Sequence, residues 1–204
     1  MSKVIKVYLA GPDVFLPNVM EVGEMKKELC KKYGFEGLFP MDAKLDLKEL
    51  APYEAGMLIS EANEELIKKS DFVIANITPF RGPSADVGTV FEIGFAKALR
   101  KPIFAYTNTK ELFTERTMKF AGVKTNTYRD NNNMSIEQWG MVDNLMIDGG
   151  VKKSKGCIVS TNAPKNEMYN SLLGFEECLK QARIFFSNNS SALENKVVEL
   201  EFCH

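Results

Sequence analysis

The feature that most constrains the fold is DFVIANI (71–77), a run of mostly apolar residues. A continuous apolar stretch of this length is typical of a strand that is covered on both faces, as at the centre of a parallel sheet. VIKVYLA (4–10) and IFAYT (103–107) have the same character, and GFEGLFP (34–40) is a shorter candidate. The sequence therefore predicts four strands.

Helical patterns separate these strands at residues 19–33, 56–69 and 85–101. In the second helix, one apolar face is predicted to point inward: Leu58, Ile59, Ala62 and Leu66. The alternation predicts an α/β fold, a doubly wound (Rossmann- or flavodoxin-like) parallel sheet flanked by helices, in a single domain. Right-handed crossovers would place the loops that follow the strands at one edge, where ligands bind.

The pattern weakens beyond residue 108. We expect an exposed loop at 125–135, a helix at 175–186 and a solvated segment at 187–195. Residues 1–150 are interpreted as the catalytic part, and residues 151–204 as a C-terminal helix and tail packed on the same domain.

Composition excludes several classes of function. Hydrophobic residues make up 45% of the chain, charged residues 26%, and the net charge is −1, which gives no footprint for nucleic acid or an anionic membrane. No apolar stretch approaches the ~20 residues that cross a bilayer, and the first residues lack a signal-peptide pattern, so we expect a cytoplasmic protein. The four cysteines are scattered and the only histidine is the last residue, His204. Histidine-based acid–base chemistry and a serine–histidine triad are therefore not expected, and any catalysis must rest on carboxylates, tyrosine or amides.

One acidic residue lies on an apolar helix face. In the segment 85–101, Glu92 shares its face with Phe95, Ala96 and Leu99, and no lysine or arginine follows it at i+4. Because an unpaired buried carboxylate carries a large desolvation penalty, we interpret Glu92 as lining a ligand cleft.

Three further candidates fall at the same predicted edge of the sheet: Tyr8, Asp86 and Gly88. Each has a purely structural alternative, since Tyr8 fits a core tyrosine, Asp86 an N-cap and Gly88 close helix packing. The loop GPSADVG has neither the GxGxxG spacing nor the GK[ST] ending of nucleotide-phosphate loops. We expect no cofactor and no metal.

Four segments together resemble the nucleoside 2-deoxyribosyltransferase family: VYLAGPDVF (7–15), GLFPMD (37–42), SDFVIANITPFRGPSADVGTVFEIGFA (70–96) and DNLM (143–146). They span most of residues 4–146. The resemblance implies exchange of the base of a 2′-deoxynucleoside with a free nucleobase, as in nucleotide salvage. Hydrolysis of the N-glycosidic bond of a (deoxy)nucleoside or its 5′-monophosphate is the alternative, and a non-enzymatic nucleotide-binding module is a third possibility.

The resemblance also implies roles for individual residues. Glu92 would be the nucleophile and Tyr8 would orient it by a hydrogen bond. Asp86 would accept a hydrogen bond from the 5′-hydroxyl and repel a 5′-phosphate. Asn144 would reach the site of a neighbouring subunit, which implies a homo-oligomer. Gly11, in the turn after the first strand, and Gly88 would make room for the substrate.

The base end of the site departs from the family pattern. Where many relatives carry an aspartate proposed to protonate the leaving base, this chain has Asn63, which can hydrogen-bond the base but cannot act as an acid. Glu61 and Glu64 are alternative proton sources, and Asp42 is a further candidate to face the base. Two loop residues have two interpretations, stacking over the base or lying at the surface: Phe80 and Arg81. In some relatives the terminal carboxylate enters a neighbour's site, but the tail of this chain has no matching motif that assigns this role to His204.

Overall fold

The protein is built on a single parallel sheet. The computed structural model describes residues 3–123 and 127–201, with the backbone alone beyond residue 188. The strands are β1 (Ile5–Ala10), β2 (Phe35–Leu38), β3 (Phe72–Asn76), β4 (Ile103–Thr107) and β5 (Ile158–Ser160). The α-helices within these ranges are α1 (Val19–Lys32), α2 (Pro52–Lys69), α3 (Val87–Ala98), α4 (Phe113–Phe120), α5 (Leu145–Lys153) and α6 (Leu173–Glu201). The predicted single-domain α/β fold is confirmed.

The strand order is β2-β1-β3-β4-β5, with every pair parallel. From β1 the chain passes to β2 on one side, and it then crosses to β3 on the other side of β1. This order is the flavodoxin-like variant of the doubly wound sheet, and its direction reverses between β1 and β3. Ligands of such sheets bind in the crevice that opens beyond the carboxyl ends of the two strands at this point.

Side chains of β1 alternate between two cores. Val7 and Leu9 face the side covered by α1 and α6, whereas Tyr8 and Ala10 face the side of α2, α3 and α5. On the second side Tyr8 packs in the same cluster as Ile93 of α3. The alternation thus points Tyr8 toward the helix that carries Glu92.

Two predictions about helices are wrong. Helix α2 begins at Pro52, and its Ile59 is 42% exposed instead of inward. The only fully buried residue of this helix is Ile67, near its end. The predicted solvated segment 187–195 is helical, as α6 continues to Glu201. Helix-forming alanine, leucine, glutamate and lysine residues follow the Ser/Asn-rich stretch and favour this continuation.

Three elements were not predicted: α4, α5 and β5. The described part of the predicted loop, residues 127–135, is mostly exposed and has one antiparallel bridge between Arg129 and Ser135. His204 lies outside the described residues. Within residues 3–123 and 127–201, no helix combines the length and apolar character that a membrane span requires.

Candidate active site

A cleft opens at the carboxyl ends of β1 and β3. A cavity of about 340 Å³ in it is lined by Gly11, Val14, Phe15, Pro40, Met41, Ile59, Asn63, Asp86, Gly88, Thr89 and Glu92. A second cavity of about 250 Å³ shares four of these residues with the first: Ile59, Asn63, Gly88 and Glu92. Most of the residues predicted from the sequence thus meet in one place, at the topological switch point of the sheet.

Glu92 and Tyr8 are joined at the floor of this cleft. The Tyr8 hydroxyl donates a hydrogen bond of 2.5 Å to Glu92 Oε1, although Tyr8 itself is completely buried. Glu92 is half-buried and lines both cavities, and its Oε2 makes no hydrogen bond within the described part of the chain. One carboxylate oxygen is therefore held and the other is available to a ligand.

The helix face that carries Glu92 is less buried than the sequence predicted. Ala96 is fully buried, but Leu99, the C-cap residue that follows α3, is 41% exposed. Glu92 sits on the α3 turns that border the cleft, ahead of the buried Ala96.

Burial raises the pKa of Glu92 from its ordinary value of 4.5 to about 7. The hydrogen bond from Tyr8 opposes this rise in pKa, and the negative charge of Asp86 adds to it. Burial, followed by the charge of Glu92, raises the pKa of Tyr8. Near neutral pH the phenol therefore keeps its proton, and Glu92 is poised between its charged and neutral forms.

Asp86 is the N-cap of α3 and also lines the larger cavity. Its Oδ2 accepts hydrogen bonds from the Thr89 amide (3.0 Å) and the Thr89 hydroxyl (3.2 Å). Its Oδ1 makes no hydrogen bond among the described residues. A Cβ added at Gly88 would lie 3.1 Å from Asp86 Oδ2, so glycine at this position avoids crowding the capping carboxylate at the N-terminus of α3. Capping thus uses only one of the two oxygens of this carboxylate.

The other end of the cleft combines one amide with apolar side chains. Asn63 of α2 lines both cavities, and its side chain makes no hydrogen bond within the described ranges. Val14, Phe15, Met41 and Ile59 supply apolar walls. Sequence reasoning missed these four, since each belongs to a segment whose side chains are ordinary core candidates.

Phe80 and Arg81 form a stack with the cavity residue Phe15. The Phe15 and Phe80 rings are 5.2 Å apart and nearly parallel, and the Arg81 guanidinium lies 4.6 Å from the centroid of Phe80 and 5.0 Å from that of Phe15. The stack connects the loop after β1 to the loop after β3.

The turn after β1 is fixed from behind by a buried ion pair. Asp13 and Lys26 are each 1% exposed and 2.7 Å apart, and Asn76 Nδ2 donates to Asp13 Oδ1 at 3.2 Å. A Cβ added at Gly11 would lie 2.7 Å from Asn76 Cβ and would collide with the Asp13 carboxylate. Only glycine fits at this wall of the cavity.

Comparison with known proteins places these residues in a family. A family model described as nucleoside 2-deoxyribosyltransferase matches residues 7–146. The chain belongs to this family. The match includes β1, β3 and α3, and hence Tyr8, Asp86 and Glu92.

Individual relatives of this family member share 30% of its sequence or less in the three comparisons that follow. An uncharacterized Schizosaccharomyces pombe protein, C191.05c, is 30% identical over 171 residues, which cover 76% of this chain and 81% of that protein. The 2-desoxiribosyltransferase of Leishmania mexicana has a TM-score of 0.56 and 24% identity, over 82% of this chain and 96% of its own. A conserved protein of Enterococcus faecalis has a TM-score of 0.50 and 21% identity, over 88% and 99% of the two chains. These likenesses support the fold.

Two of the six residues predicted to bind the substrate lie outside the cleft of this family member. The carboxylate of Asp42 accepts hydrogen bonds from Lys27 Nζ (2.7 Å) and the Phe39 amide (3.0 Å), and its neighbour Met41 lines the cavity instead. The amide of Asn144 caps α5 and donates to Glu137 Oε1 at 2.6 Å. Neither side chain reaches the Glu92 site of its own chain.

The described residues contain no cluster of three or more histidine, cysteine, aspartate or glutamate side chains that could hold a metal ion.

Proposed function

We propose that this protein transfers the 2-deoxyribosyl group between nucleobases of 2′-deoxynucleosides by two displacements at Glu92. The observation that carries the proposal is the Tyr8–Glu92 pair in an open cleft, with one carboxylate oxygen bonded and the other unbonded. Membership in the nucleoside 2-deoxyribosyltransferase family supports this substrate class.

In the first displacement, Glu92 Oε2 attacks C1′ of the sugar, the C1′–O bond forms and the glycosidic C1′–N bond breaks. The transition state has oxocarbenium character, which a 2′-deoxy sugar favours because it lacks an electron-withdrawing hydroxyl. The product is a glutamyl 2-deoxyribosyl ester and a free base. An incoming base then attacks C1′ from the opposite face and releases the Glu92 carboxylate, which restores the original configuration. Its N–H proton returns to the carboxylate that protonated the leaving base.

Tyr8 serves this reaction as a donor and not as a base. Because burial raises the pKa of its phenol, the proton stays on Tyr8 at neutral pH and holds Glu92 Oε1. The hydrogen bond fixes the carboxylate plane and leaves Oε2 directed to the cleft, which keeps the nucleophile in one orientation for attack.

Asp86 supports a nucleoside rather than a nucleotide as the substrate. Its unbonded Oδ1 is an acceptor for the 5′-hydroxyl, and its negative charge would repel a 5′-phosphate. Helix N-termini otherwise favour phosphate groups. At the N-terminus of α3 the capping carboxylate of Asp86 occupies that place.

The base would lie between the apolar walls and Asn63. Phe15, Met41 and Ile59 offer flat or flexible contact surfaces, and the free amide of Asn63 can both donate to and accept from a base edge. For the proton of the leaving base we favour Glu64 over Glu61, since Glu64 lines the smaller cavity and Glu61 is exposed outside both linings.

We further propose that the site is completed in a homo-oligomer. Helices α2 and α3, which both contribute residues to the cleft, expose large apolar side chains, among them Tyr53, Met57, Val87 and Phe91. Apolar groups gathered at one face are typical of a protein–protein contact. A neighbour seated there would bring its own Asn144 to this cleft, as the family resemblance implies.

A product analysis tests the proposed activity. Deoxyadenosine or thymidine is incubated with the protein and a second free base, and the products are separated. A new 2′-deoxynucleoside supports the transferase. Free deoxyribose without exchange would favour the N-glycoside hydrolase, and unchanged donors would favour a binding module.

A further inference from the structure

A buried ion pair lies behind the cleft. Arg116 of α4 is 7% exposed, Asp143 is completely buried, and Arg116 Nη2 lies 3.2 Å from Asp143 Oδ2. Neither residue lines the cavities that contain Glu92. Any effect of the pair on a substrate must therefore pass through the segments that it binds.

The first of these segments leads directly into Asp86. Arg116 Nε donates to the Pro83 carbonyl at 2.7 Å. The carboxylate of Asp143 accepts from the Ala85 amide at 3.1 Å and, through its other oxygen, from the Ser84 hydroxyl. Three consecutive residues before Asp86 are thus bonded to the pair.

The second segment leads into Asn144. Arg116 Nη2 donates to the Val142 carbonyl at 2.8 Å, and the backbone N–H of Asn144 donates to Asp143 Oδ1 at 2.8 Å. Arg116 Nη1 also donates to the Glu111 carbonyl. The planar guanidinium therefore joins the loop before α3, the start of α4 and the loop before α5, with each of its nitrogens used.

The Arg116–Asp143 pair is not needed to cap α3. Asp86 already caps α3 through Thr89, and a pair removed from water is weakly stabilising at best compared with apolar residues of the same size. What the pair provides is geometry, since two charged groups with several directional bonds hold adjoining backbone in one arrangement. The residue that gains from this arrangement is Asp86, one position beyond the bonded segment.

We propose that Arg116 and Asp143 are a positioning pair that fixes Asp86 Oδ1 for the 5′-hydroxyl of the substrate. This inference rests on the proposed function, because it assigns the 5′ end of a nucleoside to Asp86. It predicts that the pair acts on binding of the 5′-hydroxyl and has little influence on the reaction at C1′.

Donors with and without a 5′-hydroxyl test the pair. Base exchange is measured with 2′-deoxyadenosine and thymidine, each compared with its 5′-deoxy counterpart, for the wild type, Arg116→Lys and Ser84→Ala. A hydrogen bond to a charged group is strong enough that both variants should lose roughly tenfold in kcat/KM with the 5′-hydroxyl donors. With the 5′-deoxy donors the loss in kcat/KM should stay below about twofold, because these donors cannot form the hydrogen bond from a 5′-hydroxyl to Asp86 Oδ1.

Lys119→Ala provides a matched control. Lys119 lies on α4, as Arg116 does, and its replacement removes only an exposed ion pair with the Glu111 side chain, so the exchange rates with all four donors should stay unchanged. Equal losses with both kinds of donor, or no loss with either, would overturn the positioning role. If Arg116→Lys does not fold, Ser84→Ala, which removes one hydroxyl, decides the question alone. Wild-type protein that exchanges no base would overturn the proposed function itself, an outcome visible before any variant is compared.

Discussion

The hydroxyl of Tyr8 lies 2.5 Å from Glu92 Oε1, although the two residues are 84 positions apart in the chain. Tyr8 comes from the first strand of the sheet and Glu92 from the third helix, and the topological switch point brings them together. This contact divides the carboxylate of Glu92 into a bonded oxygen and an unbonded one, on which the proposed displacement depends.

Removal of the Tyr8 hydroxyl is expected to slow the reaction and shift its pH dependence. Ionised Glu92 is the nucleophile, so kcat/KM of the wild type should rise with pH through about 7, the raised pKa of this carboxyl. The hydrogen bond lowers that pKa, so Tyr8→Phe should move the rise to higher pH. It should also reduce kcat roughly 10- to 100-fold through loss of orientation.

Tyr106→Phe is the matched control for this pH–rate profile. Tyr106 is also a buried strand tyrosine, and its hydroxyl has no hydrogen-bond partner within the described residues. Its replacement should leave the profile in place. An unchanged profile in Tyr8→Phe would show that the phenol does not act on Glu92.

Glu92→Gln is expected to stabilise the fold as pH rises. The folded-state pKa is raised from 4.5 to about 7, so the neutral form is favoured on folding, and below pH 4.5 there is no penalty. As pH rises from 4.5 to 7, ionisation of Glu92 is favoured in the unfolded chain and opposed in the folded one, which destabilises the wild type by roughly 3 kcal/mol. Denaturant unfolding at pH 5 and pH 8 measures this, with a larger gain for the variant at pH 8. A gain that does not depend on pH would argue against a raised pKa.

Replacement of Asp86 is expected to change which 5′ group the site accepts. Asp86→Ser keeps a side-chain acceptor for the α3 N-terminus but removes the charge, and a helix N-terminus then favours a phosphate. The ratio of activity toward a 2′-deoxynucleoside 5′-monophosphate and toward the nucleoside should rise at least about tenfold. A constant ratio would mean that Asp86 does not face the 5′ end.

The turn after β1 should not accept a side chain. Gly11→Ala would place a Cβ 2.7 Å from Asn76 Cβ and against the carboxylate of Asp13, and we expect a loss of about 1–3 kcal/mol in unfolding free energy. Gly94→Ala is the control, because this exposed glycine of α3 has no atom within 4 Å of an added Cβ. It should gain about 0.5–1 kcal/mol from helix propensity. Thermal or denaturant unfolding of both variants distinguishes local crowding from a general intolerance of alanine.

The predictable parts of the fold were those with a strong local signal. The strands DFVIANI and IFAYT stood out because both of their faces are buried, and Asp86 was a recognisable N-cap. Helix α5 was missed because its sequence LMIDGGVKK has two adjacent glycines, and it depends on the Asn144 cap and on packing of Ile147 and Val151. Strand β5 has only three residues, all half-buried at the sheet edge, and so has no distinct pattern.

Residues of the candidate site could be predicted where an unusual residue type marks the position. They could not be predicted where only the three-dimensional packing brings an ordinary apolar side chain to the cavity. Glu92 was identified by an acid on an apolar face, but Phe15 and Met41 look like any apolar loop residue until the two loops meet over the cavity. Ile59 was assigned to the core for its helical spacing, whereas it is 42% exposed and lines the cleft, and the buried residue of α2 is Ile67, near the end of the helix.

The most direct test of the central claim is the intact mass of the protein after reaction with a 2′-fluoro-2′-deoxynucleoside, whose fluorine slows hydrolysis of the ester by disfavouring the oxocarbenium-like state. We predict a mass increase of one fluorodeoxyribosyl group, located by peptide mapping on Glu92, and no increase in Glu92→Gln. An adduct that persists in Glu92→Gln, or that maps to another residue, would contradict the assignment of Glu92 as the nucleophile.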